Sequence, residues 1–348
     1  MSFCPVGTAT ILAACTSLTE DHDVFAVVGT FYDPSGDAQE CVAAQHRRVL
    51  LTFDLTQAIM DKAPAGLMVT PDANPERRVR VLLELLGRRH TLRGRTVGVL
   101  GDTSLGSVVD STIVPGLKKL GVRTGTPALL SITGTDTTAA QSQLESFIER
   151  WKSDGVNTVF MSGSDVSSVQ FVTKIRQEMP DVLLLADTTN TLDFAQQLQR
   201  AGVRPNPYAG LITAAGQTTK EYESSPNWKF CRDIYQREFH KAAPGPFTVI
   251  PYKNGKTLDT YGAINDACQL LSMFRDIAQR VGKDLNDTTW IDTVNHFGPI
   301  ANRGAGPYSS LGGGKYDAND NFRLEQINPA LPPAGNFEPL SPLEDVTG

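Results

Sequence analysis

From Val24 to Thr213 the chain alternates short apolar runs with stretches of helical period, and this alternation constrains the fold more than any other feature. Val24–Gly29, Val49–Phe53, Thr96–Leu100, Ala128–Ile132, Thr158–Met161 and Val182–Ala186 are expected to be strands. Each is continuously apolar rather than alternating, which suits parallel strands covered on both faces. Between them lie helical patterns over about 35–47, 75–87 and 166–179, others ending near Leu120 and Ala201, and one between Ile132 and Thr158. The one beginning at Pro75 turns Val79, Leu82, Leu83 and Leu86 inward, and Leu144, Phe147, Ile148 and Trp151 play that part in a later helix. Gly121, Gly155 and Gly202 stand where a helix gives way to the next strand, the left-handed position glycine fills at little cost. Strand–helix alternation of this kind produces parallel sheets with right-handed crossovers, so the expected class is α/β and doubly wound. With 348 residues the chain exceeds one ordinary core and suits two lobes of roughly 150 residues.

After Gly210–Thr213 the rhythm changes. Three helices are expected over about 227–241, 258–281 and 288–297, then a Gly- and Pro-rich segment over 303–314 and a strand from Arg323 to Ile327. Residues 331–348 form a Pro-rich tail expected to be poorly ordered. No apolar stretch approaches the roughly 18–20 residues needed to span a bilayer. The 32 basic and 38 acidic residues leave a formal charge of −6, which favours solubility and supplies no general basic field for nucleic acid.

Leu12-Ala13-Ala14-Cys15 imitates a bacterial lipoprotein cleavage site. An export signal carries positive charge ahead of its apolar run, and here the first basic residue is Arg47. The segment therefore reads as an amphipathic helix, Thr8 to Thr19, with Ile11, Leu12, Cys15 and Leu18 on one face, and no export signal is expected in this chain. The five cysteines, Cys4, Cys15, Cys41, Cys231 and Cys268, include no CxxC pair, which removes zinc-ribbon and thioredoxin-type readings. An odd count fits two disulfides and a leftover thiol, or five buried thiols; spacing does not choose.

Catalytic signatures are missing: there is no GxSxG, HExxH, GxxxxGK[ST] or GxGxxG. The five histidines are scattered singly, and Glu20-Asp21-His22-Asp23 reads as a solvated loop rather than a metal cluster. No enzyme, cofactor or metal is expected. The run Arg77, Arg78, Arg80, Arg88, Arg89, Arg93 and Arg95 reads as a solvated helix face with cations near its C-terminus.

Several segments in order carry a family resemblance: Val24–Gly29 with its polar loop and helix, Gly98-Val-Leu-Gly-Asp102 with Gly106, Asp154-Gly-Val-Asn-Thr-Val-Phe-Met-Ser-Gly163, Gln199-Arg-Ala-Gly202, Asp259-Thr-Tyr-Gly-Ala263 and Gly314-Lys-Tyr-Asp-Ala-Asn-Asp320. The chain resembles the periplasmic binding proteins of the leucine/isoleucine/valine-binding class, the type I receptor ligand-binding-region family. No single motif is highly specific; the ordered set, from about residue 1 to 328, is.

The resemblance implies two doubly wound lobes joined by a hinge, lobe one being 1–94 plus 215–304 and lobe two 95–214 plus 305–330. It also implies that a strand–helix–strand of the family is missing ahead of Thr8, leaving a gap in the middle of the first sheet. Its implied function is an extracytoplasmic solute-binding protein that hands a small polar, amino-acid-like or amide-like ligand to the membrane permease of an ABC-type importer. The alternatives are a ligand-binding sensor domain or a nonfunctional truncated product. Ligands of doubly wound sheets bind beyond the carboxyl ends of the strands. The implied contacts are Tyr32, Asp33, Ser35, Asp54, Thr56 and Gln57 in lobe one, and Ser164, Asp165, Asp187 and Thr188 in lobe two. Asp187 falls where amino-acid binders place a carboxylate for the ligand's ammonium. Asp33 and Pro34 stand in place of the small hydroxyl residues of such binders. Family topology also implies the disulfides Cys15–Cys41 and Cys231–Cys268, with Cys4 unpaired.

Overall fold

A computed structural model describes residues 8–29, 33, 35–53, 55–132, 137–245, 249–251, 257–304, 306–332 and 335–347. The chain forms two compact units, neither contiguous in sequence: Met1–Asn74, Thr219–Asn321 and Asp345–Gly348 make the first, Pro75–Thr218 and Phe322–Glu344 the second.

The second unit is organised by the strand Thr96–Asp102, buried along its whole length. Thr158–Ser162 pairs in parallel along one edge. Arg123–Thr124 and Ala128–Leu130 pair in parallel along the other, at its start and its end. Leu183–Ala186 and Ile212–Ala215 extend the sheet in parallel, and Asn321–Asn328 joins antiparallel to Ile212–Ala215. The expected strands between Thr96 and Thr213 are present with slightly shifted ends. Parallel pairing follows from the crossovers, because the helices Thr138–Ser153, Val169–Glu178 and Asn190–Arg200 each return the chain to the same sheet end.

The helix Pro75–Arg88 packs in this unit, against Ile212–Ala215 and the turn Val109–Ile113, with Val79, Leu82, Leu83 and Leu86 buried as its apolar spacing predicts. Its membership corrects the expected boundary at residue 94, since an apolar stripe goes with the surface that buries it. Residues 305–321 likewise group with the first unit rather than the second. The Pro-rich tail is also corrected. Asn336–Pro339 pairs antiparallel with Asn321–Asn328, Phe337 is buried, and the Gln196 side chain donates to the Gly335 carbonyl at 2.9 Å. The tail's prolines mask a short edge strand, a position where a missing N–H does no harm.

Gly98 sits under Trp151: a Cβ there would lie 2.8 Å from the indole ring. That close approach seats a fully buried tryptophan on the central strand, with its indole N–H donating to the Thr126 carbonyl. Gly98→Ala is expected to cost about 1–3 kcal/mol through overpacking. Urea unfolding checks this, the midpoint falling while the slope stays constant.

In the first unit, Ala26–Val28, Val49–Leu51 and Met68–Val69 form a parallel sheet in that order. The expected gap in its middle is therefore not found: the three strands are contiguous. Among the described residues, no strand pairs with the outer edge of Ala26–Val28. Trp290 anchors the unit's core, edge-on to Phe25, stacked on Phe274 and donating its indole N–H to the Gly66 carbonyl. The expected helix from 258 begins at Thr260, because Thr257–Asp259 pairs with Val249–Pro251 instead.

Both expected disulfides are present. Cys15–Cys41 links the helix Thr8–Thr16 to the helical segment beginning at Asp37, and Cys231–Cys268 links Pro226–Phe239 to Thr260–Val281. Cys4 lies outside the described residues. By loop entropy each bridge is worth on the order of 3–4 kcal/mol. Thiol titration of the denatured, unreduced protein is expected to find a single reactive cysteine out of five.

Candidate functional site

In the second unit the chain leaves Thr96–Asp102, builds outward to Ala128–Leu130, and restarts on the opposite edge with Thr158–Ser162. That reversal is the switch point at the carboxyl ends of the strands, the place where doubly wound sheets generally bind ligands. Three loops meet there, following Asp102, Ser162 and Ala186. Gly163 holds a left-handed φ of 101°, and a Cβ on it would meet the Leu105 side chain at 2.7 Å, so the first two loops touch.

Asp187 ties the second loop to the third. Its Oδ2 accepts the Ser162 hydroxyl at 2.6 Å and its Oδ1 accepts the Gly163 backbone N–H at 2.8 Å. The Arg78 guanidinium donates to the Asp187 carbonyl at 3.2 Å, bringing the Pro75–Arg88 helix to the same place. Asp187 is buried, and burial pushes its carboxyl above the ordinary value, against the opposing pull of Ser162, Gly163 and the Arg78 charge.

Around this pin runs a chain of neutral donors and acceptors. Asn190 Nδ2 donates to Ser164 Oγ at 2.8 Å, Ser164 Oγ lies 3.4 Å from Thr188 Oγ1, and the Asn190 backbone N–H donates to Thr188 Oγ1. Below it, the Ser167 hydroxyl donates to the Gly163 carbonyl, and the Tyr208 hydroxyl to the Ser167 carbonyl. Ser164, Asp187 and Thr188 are thus brought together. Asp165 turns into the next helix, its carbonyl accepting from the Ser168 N–H. Ser162, Asn190 and Arg78 complete the cluster without having been singled out. The first two lie within two residues of the expected contacts Ser164 and Thr188; Arg78 was hidden in an arginine run that reads as a solvated face.

With no family model and no curated protein matching the sequence, the comparison rests on solved structures. The chain is similar to a solute-binding protein of an ABC transporter from Rhodopseudomonas palustris HaA2 in complex with p-hydroxybenzoic acid, at 12% identity over 98% of this chain and 84% of that one, with a TM-score of 0.70. It is similar to a leucine-binding protein from Thermotoga maritima MSB8, at 12% identity over 96% and 85%, TM-score 0.68. A branched-chain amino acid ABC transporter protein from Thermus thermophilus with bound valine matches at 12% identity over 97% and 82%, TM-score 0.66. The chain has the type I periplasmic-binding-protein fold. These three neighbours are solute-binding proteins. Among the described residues, no helix is long and apolar enough to cross a membrane.

On the first unit of the type I fold, Tyr32 and Asp54 lie outside the described residues. Asp33 is buried and spends its carboxylate on local backbone: Oδ1 accepts the Ser35 N–H and hydroxyl, Oδ2 the Ala38 N–H at 2.8 Å. It caps the helical segment beginning at Asp37. Thr56 caps Gln57–Met60 by accepting the Ile59 N–H, and Gln57 donates to Asp61 while accepting from Asn74.

Because folding raises the Asp187 carboxyl, the native state holds that proton more tightly than the unfolded chain does. This group's contribution to stability is full below the ordinary carboxylate range and is lost as pH rises through the folded-state value. Asp187→Asn, which keeps the shape without the charge, is expected to remove that loss. Melting temperatures across pH check it: wild type falls relative to the variant as pH rises above the ordinary carboxylate range. Parallel curves would contradict the assignment.

Proposed function

We propose that this chain is an extracytoplasmic solute-binding protein that presents a small polar ligand to the membrane permease of an ABC-type importer. The observation that carries the reading is the neutral hydroxyl–amide chain Ser164–Thr188–Asn190 at the carboxyl ends of parallel strands, in a fold whose solved examples hold small solutes. Convergent hydroxyls and amides beside one buried carboxylate suit an uncharged amide, an amino acid or a hydroxylated acid.

Under this reading the ligand contacts are Ser164, Asp165, Asp187 and Thr188 on the second unit and Tyr32, Asp33, Ser35, Asp54, Thr56 and Gln57 on the first. Asp187 then acts chiefly as the brace that fixes the Ser162–Ser164 turn, because each of its oxygens already accepts a hydrogen bond. A ligand ammonium would have to use the remaining lone pairs.

A thermal-shift screen tests the reading, since a ligand bound only by the folded form raises the melting temperature. The probes are leucine, valine, glutamine, 4-hydroxybenzoate and 3,4-dihydroxybenzoate. At least one is expected to stabilise, by about 2.7 kcal/mol at a hundredfold excess over its dissociation constant. Ser164→Ala and Thr188→Val are each expected to weaken that ligand about 3- to 10-fold, the worth of one hydrogen bond. If none of the five stabilises the protein, or the stabilising one binds both variants undiminished, the reading is wrong.

A further inference from the structure

Two helical segments of the first unit each end in a π-helical turn, with a disulfide cysteine at or just before it. The helix Thr8–Thr16 runs into a π-helical turn, Ser17–Asp21, and the segment beginning at Asp37 runs into another, Cys41–Gln45. In a π turn the bond closes from residue i to i+5, as the His46 N–H to the Cys41 carbonyl does here at 3.1 Å. Residues five apart, which point well away from each other on an α-helix, then share a face. Cys41 is thereby aligned with His46; in the first segment the bond runs from the His22 N–H to the Ser17 carbonyl, and Cys15 lies in the α-helix just ahead of that turn. The segments meet through both pairs at once: Cys15 with Cys41 as a disulfide, and Glu20 with His46 through an Oε1–Nε2 contact of 3.4 Å.

The outcome is a compact donor set. One ligand atom from each of Cys15, Cys41 and His46 lies within 4.8 Å of the others. In a tetrahedral zinc centre with Zn–S near 2.3 Å and Zn–N near 2.0 Å, donor atoms stand roughly 3.3–3.8 Å apart, so these residues need only side-chain adjustment. The two sulfurs are buried, the His46 side chain is 24% exposed and that of Glu20 57% exposed, which leaves an entry route on the Glu20 side.

We propose that reduction of the Cys15–Cys41 disulfide converts this corner of the first unit into a zinc site, with Cys15, Cys41 and His46 as ligands and Glu20 as the fourth donor. The reductant is a dithiol. It gives two electrons and two protons to the bridge; the S–S bond breaks, a new one closes within the reductant, and two thiols remain. Zinc then displaces both thiol protons to solvent and binds the thiolates. Two thiolates, one imidazole and one carboxylate suit zinc by ligand type, and they exclude calcium and magnesium, which take oxygen ligands. While oxidised, the same cluster is a double tie between two helical segments and holds no metal. The site lies wholly within the first unit and does not depend on the solute-binding reading.

The test uses the full chain with Cys231→Ser and Cys268→Ser, so that Cys15–Cys41 is the one bridge to be reduced, treated with a phosphine and then titrated anaerobically with Co²⁺ as a spectroscopic stand-in for zinc. The reduced protein is expected to bind one Co²⁺ with the visible bands of a tetrahedral centre and a thiolate-to-cobalt charge-transfer band, and zinc should displace it. Cys41→Ser should abolish the charge-transfer spectrum, His46→Ala should weaken binding at least about tenfold, and Glu20→Gln should weaken it less. Unreduced protein should show none of these bands. Should reduction unfold the first unit, zinc is expected to restore its circular dichroism, because binding energy then appears as folding energy. The proposal is overturned if the reduced protein gives no tetrahedral spectrum, if His46→Ala binds as wild type does, or if zinc fails to refold a chain that reduction has unfolded.

Discussion

A peptide group shut away from water must find its partner inside the protein, and the second unit meets that demand through one strand. Thr96–Asp102 is buried throughout and paired along both edges, so every neighbouring strand takes its register from it. Because the strands beside it run parallel, their carboxyl ends emerge together. Asp102, Ser162 and Asp187 arrive at one rim for that reason and not through any local sequence signal. Disturbing the strand, as at the contact between Gly98 and Trp151, acts on the rim only through this shared frame.

Three buried carboxylates, Asp33 in the first unit and Asp102 and Asp187 in the second, illustrate how loops are held rigid. Asp33 and Asp102 each accept a backbone N–H at the start of a helical turn, from Ala38 and Ser104 respectively. Asp187 instead bridges two different loops, taking one bond from a hydroxyl and one from a backbone amide. The first two are local caps, each worth about 1 kcal/mol. The third fixes one loop against another, which is what a recognition surface needs if its hydroxyls are to be preorganised. Ser164, Thr188 and Asn190 are thereby held against one another across the two loops.

Much of this was legible in the sequence. Continuous apolar runs such as Thr158–Met161 and Val182–Ala186 announced buried parallel strands, and the Val79–Leu86 spacing announced a helix stripe. What stayed hidden depends on contacts distant in sequence. The strand Met68–Val69 is too short to show a period, and Asn336–Pro339 lies among prolines that normally argue against a strand. Which unit buries the Pro75–Arg88 stripe could not be read from the stripe itself. At the rim, the loops were identifiable by position, whereas the division of labour within them was not. Asp33 and Thr56 are residue types equally at home as ligand contacts and as helix caps, and in their hydrogen bonds they cap.

The outer edge of Ala26–Val28 has a consequence of its own. A sheet margin with unpaired donors and acceptors is a template on which another extended segment can grow, and lengthy margins of that kind lead to fibres. Among the described residues this one offers only a three-residue strand, with Asp23 in the left-handed region shortly before it. So brief a ladder gives an intruding strand too few bonds to offset the entropy it loses on docking. A margin this short is therefore a poor template for edge-to-edge growth.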